Sequence, residues 1–140
     1  MNEKHTKELN KRFKFLKRGK ELSPYDMFGI EVHDGWFELV WNLCLDIEKE
    51  LKANPKIAKE FIVLQIKEKF GGLRFYCGPT TEKMSTLVDA AEDLSLKTCE
   101  DCGKPGTAHK LNGWWYVTKC PKCAKKAEAV AVKKKDDEVV

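Results

Sequence analysis

Two Cys-x-x-Cys pairs constrain this 140-residue chain more than any other feature. Cys99 and Cys102 stand in "CEDCGKPG" and Cys120 and Cys123 in "CPKCAKK", with 17 residues between the pairs. That lies inside the spacing of about 15 to 20 that marks a four-cysteine metal site. Two residues between cysteines let one tight turn present both sulfurs to an ion about 2.3 Å away, and two such turns complete a tetrahedron. Four thiolates close the coordination shell and leave no position for a catalytic water, so a single Zn2+ held here is structural. The competing reading, a pair of redox or unrelated thiols, would in its redox form need a thioredoxin-like βαβ context, which the pattern around the pairs does not show.

The segment between the pairs, "TAHKLNGWWYVT", carries an Asn-Gly turn flanked by strand formers, which predicts a hairpin. A two-residue turn at Asn112-Gly113 sets His109 opposite Tyr116. Pro121 suits the first turn of a helix running through "PKCAKKAEAVAVKK". Knuckle, hairpin and a helix bearing the last two ligands is the order of a treble-clef finger, which residues 99–132 resemble; a zinc ribbon would follow the second knuckle with strand. Treble clefs include HNH nucleases, whose resemblance implies a water-activating His and a second metal-binding His or Asn on the helix. His109 fits the first position, but residues 124–135 hold no His, Asn or carboxylate other than Glu128. A packed or hydrogen-bonded His109 is the simpler expectation.

Upstream, "FIVLQIKEKFGGLRFYCG" alternates with a period of two around Gly71-Gly72 and predicts a first hairpin. A two-residue turn at the glycines pairs Phe70 with Leu73. It gathers Ile62, Leu64, Ile66, Phe70, Leu73, Phe75 and Cys77, with Glu68, on the core side. The outer face then carries Phe61, Val63, Gln65, Lys67, Lys69, Arg74 and Tyr76. Around this hairpin, "GWFELVWNLCLDIEKEL" reads as a helix capped by Asp34, with Trp36, Phe37, Val40, Trp41, Cys44, Ile47 and Leu51 on its apolar face. A second amphipathic helix follows Thr80 or Thr81 and places Met84, Leu87, Val88, Ala91 and Leu94 together. Cys44 reads as a buried thiol of no chemistry.

Charge is distributed unevenly. Residues 1–20 hold eight Lys/Arg against two acids, residues 21–98 nine against fourteen, and residues 99–140 nine against six. The basic start places Leu9, Phe13 and Leu16 at helical spacing up to Gly19, as a basic amphipathic helix would. No apolar run approaches the roughly 18 residues of a membrane span, and the N-terminal segment has no signal-peptide character, so a cytoplasmic site is expected. Reduced thiols there favour metal ligation over disulfides.

Taken together, "DGWFELVWNLC", "QIKEKFGGLRFYCG" and the four-cysteine segment ending "GWWYVTKCPKCA" resemble a group of small proteins of unknown function from bacteriophages and bacterial genomes. The likeness covers roughly residues 23–125; it implies the architecture and a phage or bacterial setting, and no activity. The expected architecture is α+β: helices packed on a short antiparallel hairpin, followed by the finger. Residues 1–21 form a basic helix or tail, 22–98 the core, 99–132 the finger and 133–140 a charged disordered tail. The expected role is non-enzymatic binding of nucleic acid. Nucleic-acid contacts would come from Arg12 and Lys14, from Lys67, Lys69, Arg74 and Tyr76 on the hairpin, and from the finger, whereas Trp114 or Trp115 and the acidic middle would serve a protein partner. The alternatives are a protein-interaction module that modulates a host protein and, third, the nuclease centred on His109.

Overall fold

The computed structural model describes residues 1–17 and 23–132. Gly19 and the tail 133–140 lie outside them. Helix α1 (Glu3–Arg12) is capped by the Asn2 side chain, which accepts from the His5 amide at 2.8 Å. It is shorter than its apolar spacing predicts. Phe13 takes an extended conformation (φ −113°, ψ 94°), so Phe13 and Leu16 reach the core from a turn. Phe13 packs edge-on to Trp41 (5.0 Å between centroids), and Phe15 edge-on to Phe61 (5.7 Å).

Ser23 caps the short helix α2 (Pro24–Phe28), as the Ser-Pro pair predicts. The chain then makes β1 (Ile30–Glu31), a two-residue strand lying parallel to the hairpin that nothing in the local pattern announces. Asp34–Trp36 form a 3-10 turn, and the long helix α3 (Phe37–Ala53) starts after it. Asp34 therefore does not cap α3. Its Oδ1 instead accepts from the Asn2 amide at 2.7 Å and lies 3.0 Å from His5 Nδ1, tying α1 to the turn. Trp36, Val40, Cys44 and Ile47 are fully buried, while Phe37 and Trp41 sit half-buried at the margin. Helix α4 (Pro55–Glu60) leads into the hairpin strands β2 (Ile62–Lys69) and β3 (Gly72–Gly78), completing a sheet of order β1-β2-β3.

The hairpin register differs from the expected one in two ways. Lys69 pairs with Gly72, so the turn residues are Phe70 and Gly71, both with positive φ (53° and 82°). This is the pair of left-handed residues that a tight hairpin turn demands, with Phe70 occupying the first and pointing out at 69% exposure. The second difference is a bulge at Leu64/Gln65, which breaks the alternation. Above it, Ile66, Leu73 and Phe75 face the core as expected; below it the faces exchange, so Phe61 and Val63 are buried while Ile62 and Leu64 are exposed. A period-two reading carried through a bulge inverts every residue beyond it. Glu68, the polar member of the inward set, accepts from the Gly71 amide at 2.8 Å and braces the turn.

Helix α5 (Glu82–Ser95), capped by Thr81, packs on α3 and closes the free edge of β3. Ser95 Oγ accepts from the Leu73 amide at 2.8 Å and Glu92 Oε2 from the Phe75 amide at 3.0 Å, so two edge donors are satisfied by side chains. The C-terminal sheet has order β5-β4-β6, from β4 (Thr107–Leu111), β5 (Trp115–Lys119) and β6 (Val130–Ala131), with helix α6 (Pro121–Lys126) after β5. Helix α6 is shorter than expected because Glu128 turns left-handed (φ 57°) and sends the chain back to pair with β4. The hairpin register is also one residue off the predicted one. Leu111 pairs with Trp115 and His109 with Val117, leaving Asn112, Gly113 and Trp114 as a three-residue loop.

The two sheets are joined by hydrogen bonds. Gly35 N donates to Glu100 O (2.7 Å), Trp36 Nε1 to Thr98 O (2.8 Å), and Thr118 Oγ1 to Gly71 O (2.6 Å). Thr118 is 1% exposed, so Thr118→Val leaves the Gly71 carbonyl without its side-chain donor in a buried place. The expected loss is about 1–3 kcal/mol, read as a lower thermal melting temperature; an unchanged melting curve would show that this contact does not fasten the finger.

Candidate functional site

Cys99 opens a knuckle in which its own carbonyl accepts from the Gly103 amide at 2.9 Å and its amide donates to Lys104 O at 2.7 Å. These two bonds fold residues 99–104 so that both sulfurs of the pair converge. The second pair is built differently. Cys120 stands at the N-cap of α6, where its Sγ accepts from the Cys123 amide at 3.4 Å, and Pro121 occupies the first turn. One ligand thus caps the helix that carries the next. That amide, more than anything else nearby, holds the Cys120 thiol down to about 6.

The four ligand atoms lie within 4.8 Å of one another, and Cys102 Sγ is 3.6 Å from Cys120 Sγ. A tetrahedron with bonds of about 2.3 Å has edges near 3.8 Å, so the cluster is of a size to close on one ion. Four sulfurs at this separation cannot all be ionised without a cation among them, which makes metal binding and thiol deprotonation one event. The order of knuckle, β4–β5 hairpin and α6 is that of the treble clef. The remaining two cysteines are unlike these. Burial pushes Cys44 well above its ordinary value and Cys77 up to about 11, so both stay neutral in the core.

His109 is 6% exposed, with Nδ1 2.8 Å from the Thr107 carbonyl. It belongs to no group of metal-ligating side chains among the described residues. Its place is the packed one.

The candidate contact residues fall into separate groups. Arg12 is engaged by Glu48, with Nη2 2.9 Å from Oε1, and its guanidinium lies 4.7 Å from the Phe13 ring centroid. Lys14 is exposed just beyond α1. On the outer face of β2–β3, Lys67 lies directly across from Arg74 and Gln65 from Tyr76. Among the described residues no carboxylate lies within 4 Å of the side-chain nitrogens of Lys67, Lys69 or Arg74. Glu31, beside Lys67 in the sheet, accepts instead from Gln65 Nε2 at 3.1 Å.

Trp114 and Trp115 are brought to the turn of the first hairpin, where Phe70, Trp114, Trp115 and Tyr116 line one cleft. Two cations edge it, Lys69 Nζ 5.6 Å from the Phe70 centroid and Lys110 Nζ 5.2 Å from the Tyr116 centroid. Sequence reasoning missed Phe70, Lys110 and Tyr116 as members of this group. A turn at Gly71-Gly72 puts Phe70 on the core side of the strand, whereas the observed turn contains it, and the other two are cross-strand partners only in the three-residue-loop register. Set against protein-family models, curated proteins and solved structures, the chain matches none. No helix among the described residues is long and apolar enough to cross a membrane.

Proposed function

We propose that the protein is a zinc-stabilised, non-enzymatic binding module whose partner is nucleic acid. The observation that carries the reading is the pairing of Lys67 with Arg74 directly across the β2–β3 ladder. Like charges opposite one another destabilise a sheet, and among the described residues no carboxylate lies within 4 Å of either side chain's nitrogens, the flanking Glu31 being hydrogen-bonded to Gln65 instead. A phosphate oxygen between them turns the repulsion into attraction. Lys69 extends the same face, and the finger adds Lys110, Lys122, Lys125 and Lys126, while two of its three acids are occupied: Glu100 is buried, and Asp101 is bound to His33 and Lys119.

Charge reversal of Lys67 and Arg74 to Glu tests this. Nucleic-acid affinity is expected to fall at least tenfold with the melting temperature unchanged, and losing two phosphate contacts should reduce the salt slope by about 1.5. Unaltered affinity would remove the reading.

A protein partner is the second reading, and it has its own observation. Met27, Phe28, Ile62 and Leu64 are 59%, 64%, 37% and 42% exposed on segments joined by the β1–β2 pairing. Binding through that apolar surface would survive high salt, where phosphate contacts would not.

A further inference from the structure

We infer that the nucleic acid is single-stranded, and that its unpaired bases stack in the cleft between the two hairpin turns. This rests on the nucleic-acid reading above and names the strandedness and the mode of contact. Trp114 is 71% exposed, Phe70 69% and Trp115 48%, and all three share the cleft with Tyr116. The two indoles stand 5.9 Å apart at 30°, splayed rather than stacked closed. Exposed aromatic faces suit flat apolar surfaces. In a duplex those base faces are covered by their neighbours, whereas a single strand offers them freely.

The platform is preorganised. Phe70 is held outward by its own left-handed backbone, and Gly71 beside it is locked against β5 through Thr118. A Cβ on Gly71 would sit 3.2 Å from the Val117 carbonyl carbon, so the turn and the Trp-bearing hairpin are in close backbone contact. The relative placement of Phe70 and the tryptophans is therefore set before any ligand arrives, which lowers the ordering cost of binding.

A polymer is favoured over a compact ligand because the cleft continues into a track. From the cleft the outer face of the hairpin runs through Lys69, then Lys67 opposite Arg74, then Tyr76, which is 41% exposed. Gly72 to Tyr76 spans about 13 Å at about 3.3 Å per residue. A row of cations with aromatic rings at both ends suits a sugar-phosphate backbone whose bases are splayed out. The two acids nearest the track are both engaged elsewhere: Glu68 accepts from the Gly71 amide, and Glu31, beside Lys67 in the sheet, accepts from Gln65 Nε2.

The test uses the full chain, a 12-nucleotide oligothymidylate and oligouridylate, a duplex of mixed sequence, and vesicles with phosphatidylserine. Single strands are expected to quench the exposed tryptophans and to bind at least tenfold tighter than the duplex. Trp114→Ala and Phe70→Ala should each weaken single-strand affinity by about 5- to 100-fold at unchanged melting temperature. Duplex binding equal to or tighter than single-strand binding, or single-strand affinity indifferent to Trp114→Ala, overturns the inference while the broader nucleic-acid reading stands. Failure to bind any oligonucleotide removes both. Binding to vesicles in place of oligonucleotides overturns it as well, and reassigns the aromatic-lysine rim to a lipid surface.

Discussion

Cys102→Ser, or a strong chelator applied to the wild type, is expected to unfold residues 99–132 and to lower the stability of the whole chain. The four thiols are within 4.8 Å of one another with no disulfide between them, so without a cation the cluster is a knot of competing protons and charges. Structural zinc sites in finger peptides contribute about 10–16 kcal/mol at neutral pH, comparable to or larger than the total stability of an ordinary domain, about 5–15 kcal/mol. Here the loss would spread. The finger supplies Glu100 O to Gly35, and Thr98, which leads into the knuckle, supplies its carbonyl to Trp36. Metal content per chain and far-ultraviolet circular dichroism, measured before and after chelation, check this. A Cys102→Ser protein that keeps one metal per chain and the wild-type melting temperature would sink the site.

Gly35→Ala is expected to have the next largest effect, although the residue is remote from every ligand in sequence. A Cβ at Gly35 would lie 2.3 Å from the Cys99 carbonyl oxygen and 2.5 Å from that of Glu100. Both obstacles are backbone, on a knuckle pinned by two internal hydrogen bonds, so neither can step aside. Overpacking typically costs about 1–3 kcal/mol, and a clash of backbone on Cβ at this distance belongs at or above the top of that range. The variant should melt well below wild type and bind metal more weakly, because the knuckle must distort or undock. A Gly35→Ala protein within about 0.5 kcal/mol of wild type would show that the finger and the 3-10 turn are not held together as described.

This interface changes the meaning of the Phe70-Gly71-Gly72 turn. Its glycine is needed for a left-handed residue packed against Val117 and Thr118, so the turn fastens core to finger on one side. On the other it displays Phe70 to the cleft. The hairpin is at once a structural clamp and the edge of the proposed binding surface.

Much of the local structure was legible in the residues. The four ligands, Ser23 and Thr81 as caps, Pro121 at the start of α6, and the burial of Val40, Cys44 and Ile47 all follow from interactions within a few positions of one another. The metal site belongs here too, since two residues between cysteines suffice to aim a pair of sulfurs. The errors have a common origin. The bulge at Leu64/Gln65, the register of both hairpins and the early end of α6 depend on what the strand meets across the sheet, and a periodic pattern carries no record of that.

What the sequence determined by itself was therefore the chemistry of the four-cysteine site and the identity of most elements, because spacing, capping and periodicity act over a turn or two of chain. Only the tertiary structure decided that Gly35 meets Cys99, that Gly71 meets Thr118, and that Phe70 joins Trp114 and Trp115 in one cleft with Lys69 and Lys110 at its rim. Those residues are 41 to 64 positions apart, and their meeting is set by packing two sheets against each other, a property of no short segment of the chain.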